Sequence, residues 1–223
     1  MSVEAREARQ PWILLSPALG TVTALLFVPL LFIVVYSFWL RTAAGAEQVG
    51  FYLDNWEAAL TDPFYRDILL NTLKIAAITT LICALMGYPS AFFIPRAHGN
   101  KALVLLLLIL PFWISYIIRT MSWINILGVS GALNSGLIAV GILDEPIQML
   151  YNEATVILGL VHFLLPFMVL NVYVSLDGID ETLESAAQSL GATKWESFLQ
   201  VTLPLSLPGL AAGGLLCFVL GAG

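Results

Sequence analysis

Charged residues along this chain fall in clusters and leave long apolar runs between them. Residues 11–40 carry no charge over 30 positions, residues 75–94 none over 20, and residues 154–176 none over 23. A further run covers 102–118, resumes after Arg119 to about Leu127, and the stretch 201–223 is again uncharged. A hydrocarbon core about 30 Å thick is crossed by roughly 20 apolar helical residues. The pattern therefore predicts an all-α polytopic membrane bundle with five spans, at about 12–40, 70–94, 102–127, 154–176 and 205–223. A transmembrane β-barrel would show short alternating segments instead of solid runs. The first run is too long for a signal peptide and reads as a retained anchor. Pro29, Pro89, Pro111 and Pro166 predict kinks, which membrane helices tolerate where neighbours cover the freed carbonyls. The last run reaches Gly223 with no flanking charge and no aromatic anchor, so a sixth span is expected beyond it.

One polar segment, 177–204, is structured by its own signals. Asp180 is an N-cap candidate, with Glu181 and Glu184 in the following first turn, where the helix dipole favours anions. Leu183, Ala186, Ala187 and Leu190 follow at helical spacing, and Gly191 stands where a helix needs a left-handed terminator. Thr193 with Glu196 three residues on makes a capping box for a second helix. Trp195, Phe198, Leu199 and Thr202 form its less polar face, and Pro204 is expected to end it. The segment reads either as a helical hairpin that merely connects spans or as a docking element. Its small residues permit close approach, and Trp195 and Phe198 suit an anchoring pocket.

Composition narrows the class further. Of 223 residues, 59% are hydrophobic and 11% charged, against about a quarter charged in soluble domains. The net charge of -6 gives no footprint for nucleic acid, and two cysteines exclude a disulfide scaffold. Lysine and arginine in short loops set orientation. Arg6 and Arg9 in the tail, and Arg96 and Lys101 in the 95–101 loop, place the N-terminus and that loop in the cytoplasm. The segments 41–69 and 128–153 are then outside, and 177–204 is cytoplasmic. The 128–153 segment has no lysine or arginine; Leu133, Leu137, Ile138 and Ile142 predict an interfacial helix there before an acidic turn at Asp144 and Glu145.

Ser185-Ala186-Ala187, three residues, Gly191, nine residues, then Val201-Thr202-Leu203-Pro204 resembles the cytoplasmic Glu-Ala-Ala loop of bacterial ABC importer permeases. The spacing matches throughout. Ser185 stands where the family has Glu and Val201 where it has Ile, while Glu184 lies one position early. Pro111-Phe112-Trp113-Ile114-Ser115 with Ile118-Arg119-Thr120 is similar to the third span of spermidine/putrescine-type permeases. Leu133-Asn134, Leu150-Tyr151 and Leu164-Leu165-Pro166-Phe167 continue that likeness, and Asn71-Thr72-Leu73 is a weaker family-wide feature. The resemblance implies a permease subunit in the bacterial inner membrane. It implies two cytoplasmic ATPases that bind ATP and Mg, a second and different permease chain, and a periplasmic binding protein that delivers a polyamine or similar organic substrate. It assigns the ATPase-coupling loop to Glu184, Ser185, Ala186, Ala187, Gly191, Trp195, Val201, Leu203 and Pro204.

Arg119 is the one charge inside the third run. An intramembrane arginine faces a bundle interior or an aqueous cavity, or snorkels outward. It reads as a pathway or gate residue beside Trp113, Tyr116, Trp123 and Asn125, or as a structural arginine bonded to helix-end carbonyls. None of the five runs holds an Asp or Glu, so the spans offer no strong cation trap. His98 and His162 lack companions at metal-ligand spacing, and Cys83 and Cys217 read as packing residues. Gly209 and Gly213 form a pair suited to close helix packing. With no Gly-x-x-x-x-Gly-Lys-Ser/Thr loop the chain has no such ATP site of its own, and no catalytic constellation points to an enzyme. The rival class is a secondary transporter or channel working without an ATPase.

Overall fold

The computed structural model describes residues 10–41, 47–96 and 100–223, and the chain divides into two units, 1–69 and 70–223. Arg6, Arg9 and His98 lie outside the described residues.

In the first unit, helix α1 spans Gln10–Ser37 with Pro17 and Pro29 inside it. A two-residue ladder follows, β1 (Leu40–Arg41) antiparallel to β2 (Glu47–Gln48), with Leu40 opposite Gln48. This small departure from an all-helical chain sits on the turn out of α1. Helix α2 spans Asp54–Thr61. Its Asn55 amide donates to the Ser37 and Trp39 carbonyls at 3.0 and 2.8 Å, which satisfies acceptors that the end of α1 leaves free. Phe38 stacks on Phe51 with centroids 4.3 Å apart.

Helix α3 spans Pro63–Arg96, 34 residues, and so begins before the expected 70. Pro63 has the φ a first helical turn needs, and Asp62 caps it by accepting from the Phe64 amide at 2.9 Å. The early turns are polar enough that hydropathy alone hides them; Arg66 and Asp67 pair with each other there.

The second unit continues with α4 (Lys101–Ile109), a 3₁₀ turn (Leu110–Trp113), α5 (Tyr116–Leu127) and α6 (Ala132–Ala139). Then come α7 (Glu153–Asp177), α8 (Glu181–Ser189), α9 (Lys194–Ser197), a π turn (Phe198–Thr202) and α10 (Leu203–Ala222). Its core lies among α3, α7 and α10. Leu164, Met168, Val169 and Val172 of α7 are fully buried, with Cys83 of α3 and Cys217 of α10, both free thiols. The backbones of α7 and α10 approach closely at two glycines. A Cβ on Gly209 would stand 2.4 Å from the Ser175 Cβ, and one on Gly213 would stand 2.9 Å from the Met168 Sδ.

Four described helical stretches are long and apolar enough to cross a membrane: 15–37, 63–94, 153–177 and 194–222. The expected span 102–127 is not one rod. Residues 101–113 and 117–139 form a pair bent by 88°, which counts as a fifth span only if the two halves are taken together. Pro111 supplies no amide at the 3₁₀ turn, and Ile114 and Ser115 are extended, so the helical hydrogen-bond ladder stops there. A helix does form within 128–153, α6, but it stops at Ala139, before Gly141 at φ +73° and short of Ile142.

Ion pairs fix which loops share an end of the bundle. Arg96 pairs with Glu184, and Lys101 with Asp177 at 3.8 Å, which brings 95–101 and 177–204 to the same end. Lys74 and Glu153 pair at 2.5 Å, away from that end.

Candidate coupling site

The polar hairpin α8–α9 is assembled from local chemistry. The Asp180 carboxylate accepts from the Thr182 amide at 2.9 Å, and that bond holds its carboxyl below the ordinary aspartate value. Thr193 Oγ1 accepts from the Glu196 amide at 3.2 Å, and Glu196 accepts in return from the Thr193 amide at 2.8 Å. The Thr193 amide likewise keeps the Glu196 carboxyl below its usual value. Gly191, at φ +98°, turns the chain between the two helices.

Pro204 does not end the second helix. Residues 194–222 run on as one helical stretch, with Pro204 in the first turn of α10. Proline in a helix removes one amide and presses its ring on the carbonyl four residues back. The π turn at Phe198–Thr202 directly before it widens the backbone and relieves that crowding. The expected docking helix and the last span are therefore joined without a break.

The face that α8 and α9 turn outward is partly apolar. Leu190 is 91% exposed, and Leu183 and Trp195 are also exposed. Ser185 and Ala186 are exposed, and Ala187 is half-buried. Trp195 stacks on Phe198 at 5.3 Å, and Phe198 meets Tyr88 and Phe92 edge-on at 6.0 and 5.3 Å. Tyr88 also shares a 2.7 Å hydrogen bond with Ser206. Of the motif's tail, Val201 and Leu203 are half-buried and Pro204 is exposed.

Glu184 points inward. Its Oε1 accepts from the Arg96 guanidinium and from the Thr202 hydroxyl, and its own carbonyl accepts from Ser197 Oγ at 3.4 Å. Arg96, Thr202, Tyr88 and Ser206 are site residues that sequence reasoning missed. A polar Thr202 between Val201 and Leu203, and an arginine at the last turn of a span, were the signals available.

Two of the five pathway candidates meet at one cavity. Arg119, 9% exposed, and Trp123 line a space of about 310 Å³ between α5 and α7, together with Tyr151, Thr155 and Phe163. The Arg119 guanidinium donates to the Pro111 carbonyl and, at 3.4 Å, to that of Ile114; it also sits 5.6 Å from the centre of the Phe163 ring. Arg119 thus bonds the helix-end carbonyls of the bend and lines the cavity as well. Trp123 Nε1 donates to His162 Nδ1 at 3.3 Å. Trp113 is 81% exposed, and Asn125 lines a separate space of about 260 Å³ with Gly128 and Ser130. Tyr116 begins α5, and its side chain lies outside the described residues. Tyr151 at the cavity rim has φ +62°, a conformation no sequence signal announced.

A set of long apolar helices carrying one capped, partly apolar hairpin defines a polytopic α-helical membrane protein. Comparison with known proteins specifies which. The chain is 40% identical over 198 residues to the spermidine/putrescine transport system permease protein PotB of Escherichia coli, covering 88% of this chain and 72% of that one. It is 40% identical over 190 residues to PotB of Haemophilus influenzae, covering 85% and 66%. It is 32% identical over 180 residues to the inner membrane ABC transporter permease protein YdcU of Escherichia coli, covering 74% and 57%. In fold it matches a crystal structure of a bacterial ABC transporter involved in the import of the acidic polysaccharide alginate. The TM-score is 0.72 at 20% identity, over 95% of this chain and 73% of that one. No family model matches the chain. The chain belongs to the ABC transporter permeases, in the group of the spermidine/putrescine-system permeases.

Proposed function

We propose that this permease imports a polyamine, or a closely similar small organic cation, across the bacterial inner membrane with its N-terminus in the cytoplasm. The observation that carries the substrate reading is the 40% identity to PotB over 88% of the chain. Orientation rests on Lys and Arg of the short loops, and on the ion pairs that bring 95–101 to the same end as 177–204. Its partners are two cytoplasmic ATPases, a second permease chain and a periplasmic binding protein. ATP and Mg bind to the ATPases and not to this chain. The exposed Leu183, Leu190 and Trp195 give an ATPase an apolar patch to cover. ATP binding closes the ATPase pair, the α8–α9 hairpin rides with it, and the spans change the side on which they are open. The charge-free runs of the spans hold no Asp or Glu, and on this reading selection of the cation is left to the binding protein.

The test is reconstitution with all partners in vesicles. Labelled spermidine or putrescine should enter only with ATP on the ATPase side and binding protein on the other. Uptake driven by an ion gradient without ATPase would overturn the reading in favour of a secondary transporter.

A further inference from the structure

We infer that Glu184 is an internal positioning residue that locks the docking hairpin to two membrane spans, so that movement of the hairpin becomes movement of the spans. The inference rests on the importer reading and adds to it the residue through which the stroke passes.

A single carboxylate oxygen gathers three elements. Glu184 belongs to α8, Arg96 to the last turn of α3, and Thr202 to the π turn that leads into α10. Both partners bond the same Oε1. Each partner is itself held. Arg96 donates to the Phe92 carbonyl at 3.2 Å, and its guanidinium lies 3.8 Å from the centre of the Phe92 ring. Thr202 is buried. The Glu184 side chain is 27% exposed, so the pair is partly shielded from water. Hydrogen bonds between ionised groups are stronger than neutral ones and fix direction as well as distance.

The chain on either side of α8 offers little stiffness. Gly178 precedes the helix and Gly191 follows it. Without the carboxylate, α8 would keep its turn hydrogen bonds and the Ser197 bond to the Glu184 carbonyl, but would lose its ionic tie to α3 and its side-chain bond to Thr202. With it, a displacement of α8 is delivered at once to the end of α3 and the beginning of α10. Ser185 is exposed and borders the same polar space as Glu184, Arg96 and Thr202, so the acid that serves the joint is one position from the motif's own glutamate position.

The experiment uses the complete transporter in vesicles and reads substrate imported per ATP hydrolysed. Glu184→Gln keeps the shape and loses the ion pair; Glu184→Ala removes both bonds. In each, ATPase subunits should still co-purify, while the import-to-hydrolysis ratio falls about ten-fold, as expected for losing a hydrogen bond between charged groups. The exchanged pair Arg96→Glu with Glu184→Arg should recover part of that ratio, which a purely structural loss would not. A parental ratio in Glu184→Ala, lost ATPase co-purification in Glu184→Gln, or an exchanged pair no better than Glu184→Arg alone would each overturn the joint. Absence of ATP-driven uptake by the parent assembly would instead sink the importer reading, and this inference with it.

Discussion

An arginine at the centre of a bilayer costs about 2.5–3.5 kcal/mol on insertion scales. Arg119 offsets this by donating to two carbonyls at the break in the third span, that of Ile114 and that of Pro111, which also accepts from the Ile114 amide at 3.3 Å. Arg119→Met should therefore take the side-chain donor from the Ile114 carbonyl and one of two donors from that of Pro111, and lower stability by about 1–3 kcal/mol, read as a lower melting temperature of the purified permease. Arg119→Lys should fall between, because a lysine brings no planar fork to serve both oxygens. The hairpin caps respond to pH. Asp180 and Glu196 have folded values below their ordinary ones. Their contribution is therefore complete above the unfolded values, about 4, and is lost as pH falls through the folded values. Amide exchange at Thr182 and Thr193, corrected for intrinsic rates, should lose protection on acidification below about pH 4 and be flat from 5 to 7. These caps and Gly191 were legible in the sequence because each is decided within three or four residues. The partner of Glu184 was not, since Arg96 lies 88 positions away and no periodicity spans that distance.

At the scale of elements, glycine positions decide two things. Gly191 has open space around a would-be Cβ, so only its φ of +98° objects to a side chain. Gly191→Val should cost about 1–2 kcal/mol locally and turn α8 off its docking direction. Loss of ATPase co-purification with near-normal permease in the membrane is the expected result. Gly209 fails differently. Its Cβ would meet the Asn171 carbonyl at 2.7 Å as well as Ser175, so Gly209→Val should push α10 from α7 and cost about 1–3 kcal/mol. Thermal melting of the purified permease should register that loss. The pairing of Gly209 and Gly213 was readable as a packing face from spacing alone. The bend after Pro111 was not, because an unbroken apolar run looks the same whether the helix through it is straight or folded back.

For the whole molecule, the spans were read from charge-free runs because hydrocarbon demands length and apolarity and little else. Their ends were less legible: α3 starts at Pro63 behind polar turns, and the helix of the last span has no break at Pro204 at all. Sidedness is open to a direct measurement. A cysteine at Asp144 should react with an impermeant thiol reagent applied outside intact cells, and one at Gln188 only after the cells are opened. The reverse labelling would invert the orientation and detach the hairpin from any cytoplasmic ATPase.

The unbroken run from Lys194 to Ala222 makes the π turn a phase marker. Each residue of a helix advances its faces by about 100°. The π turn closes its hydrogen bonds over five residues where an α-turn uses four, so it absorbs one residue; inserting a further residue into Phe198–Thr202, with nothing to take it up, would rotate everything beyond it relative to the hairpin by about that angle. Either Gly209 and Gly213 would leave their seat against α7, or Trp195 and Phe198 would leave theirs. Substitutions here are graded, but an insertion is not: the helix's faces stay in phase between the hairpin and the glycine seam only while the π turn takes up the added residue.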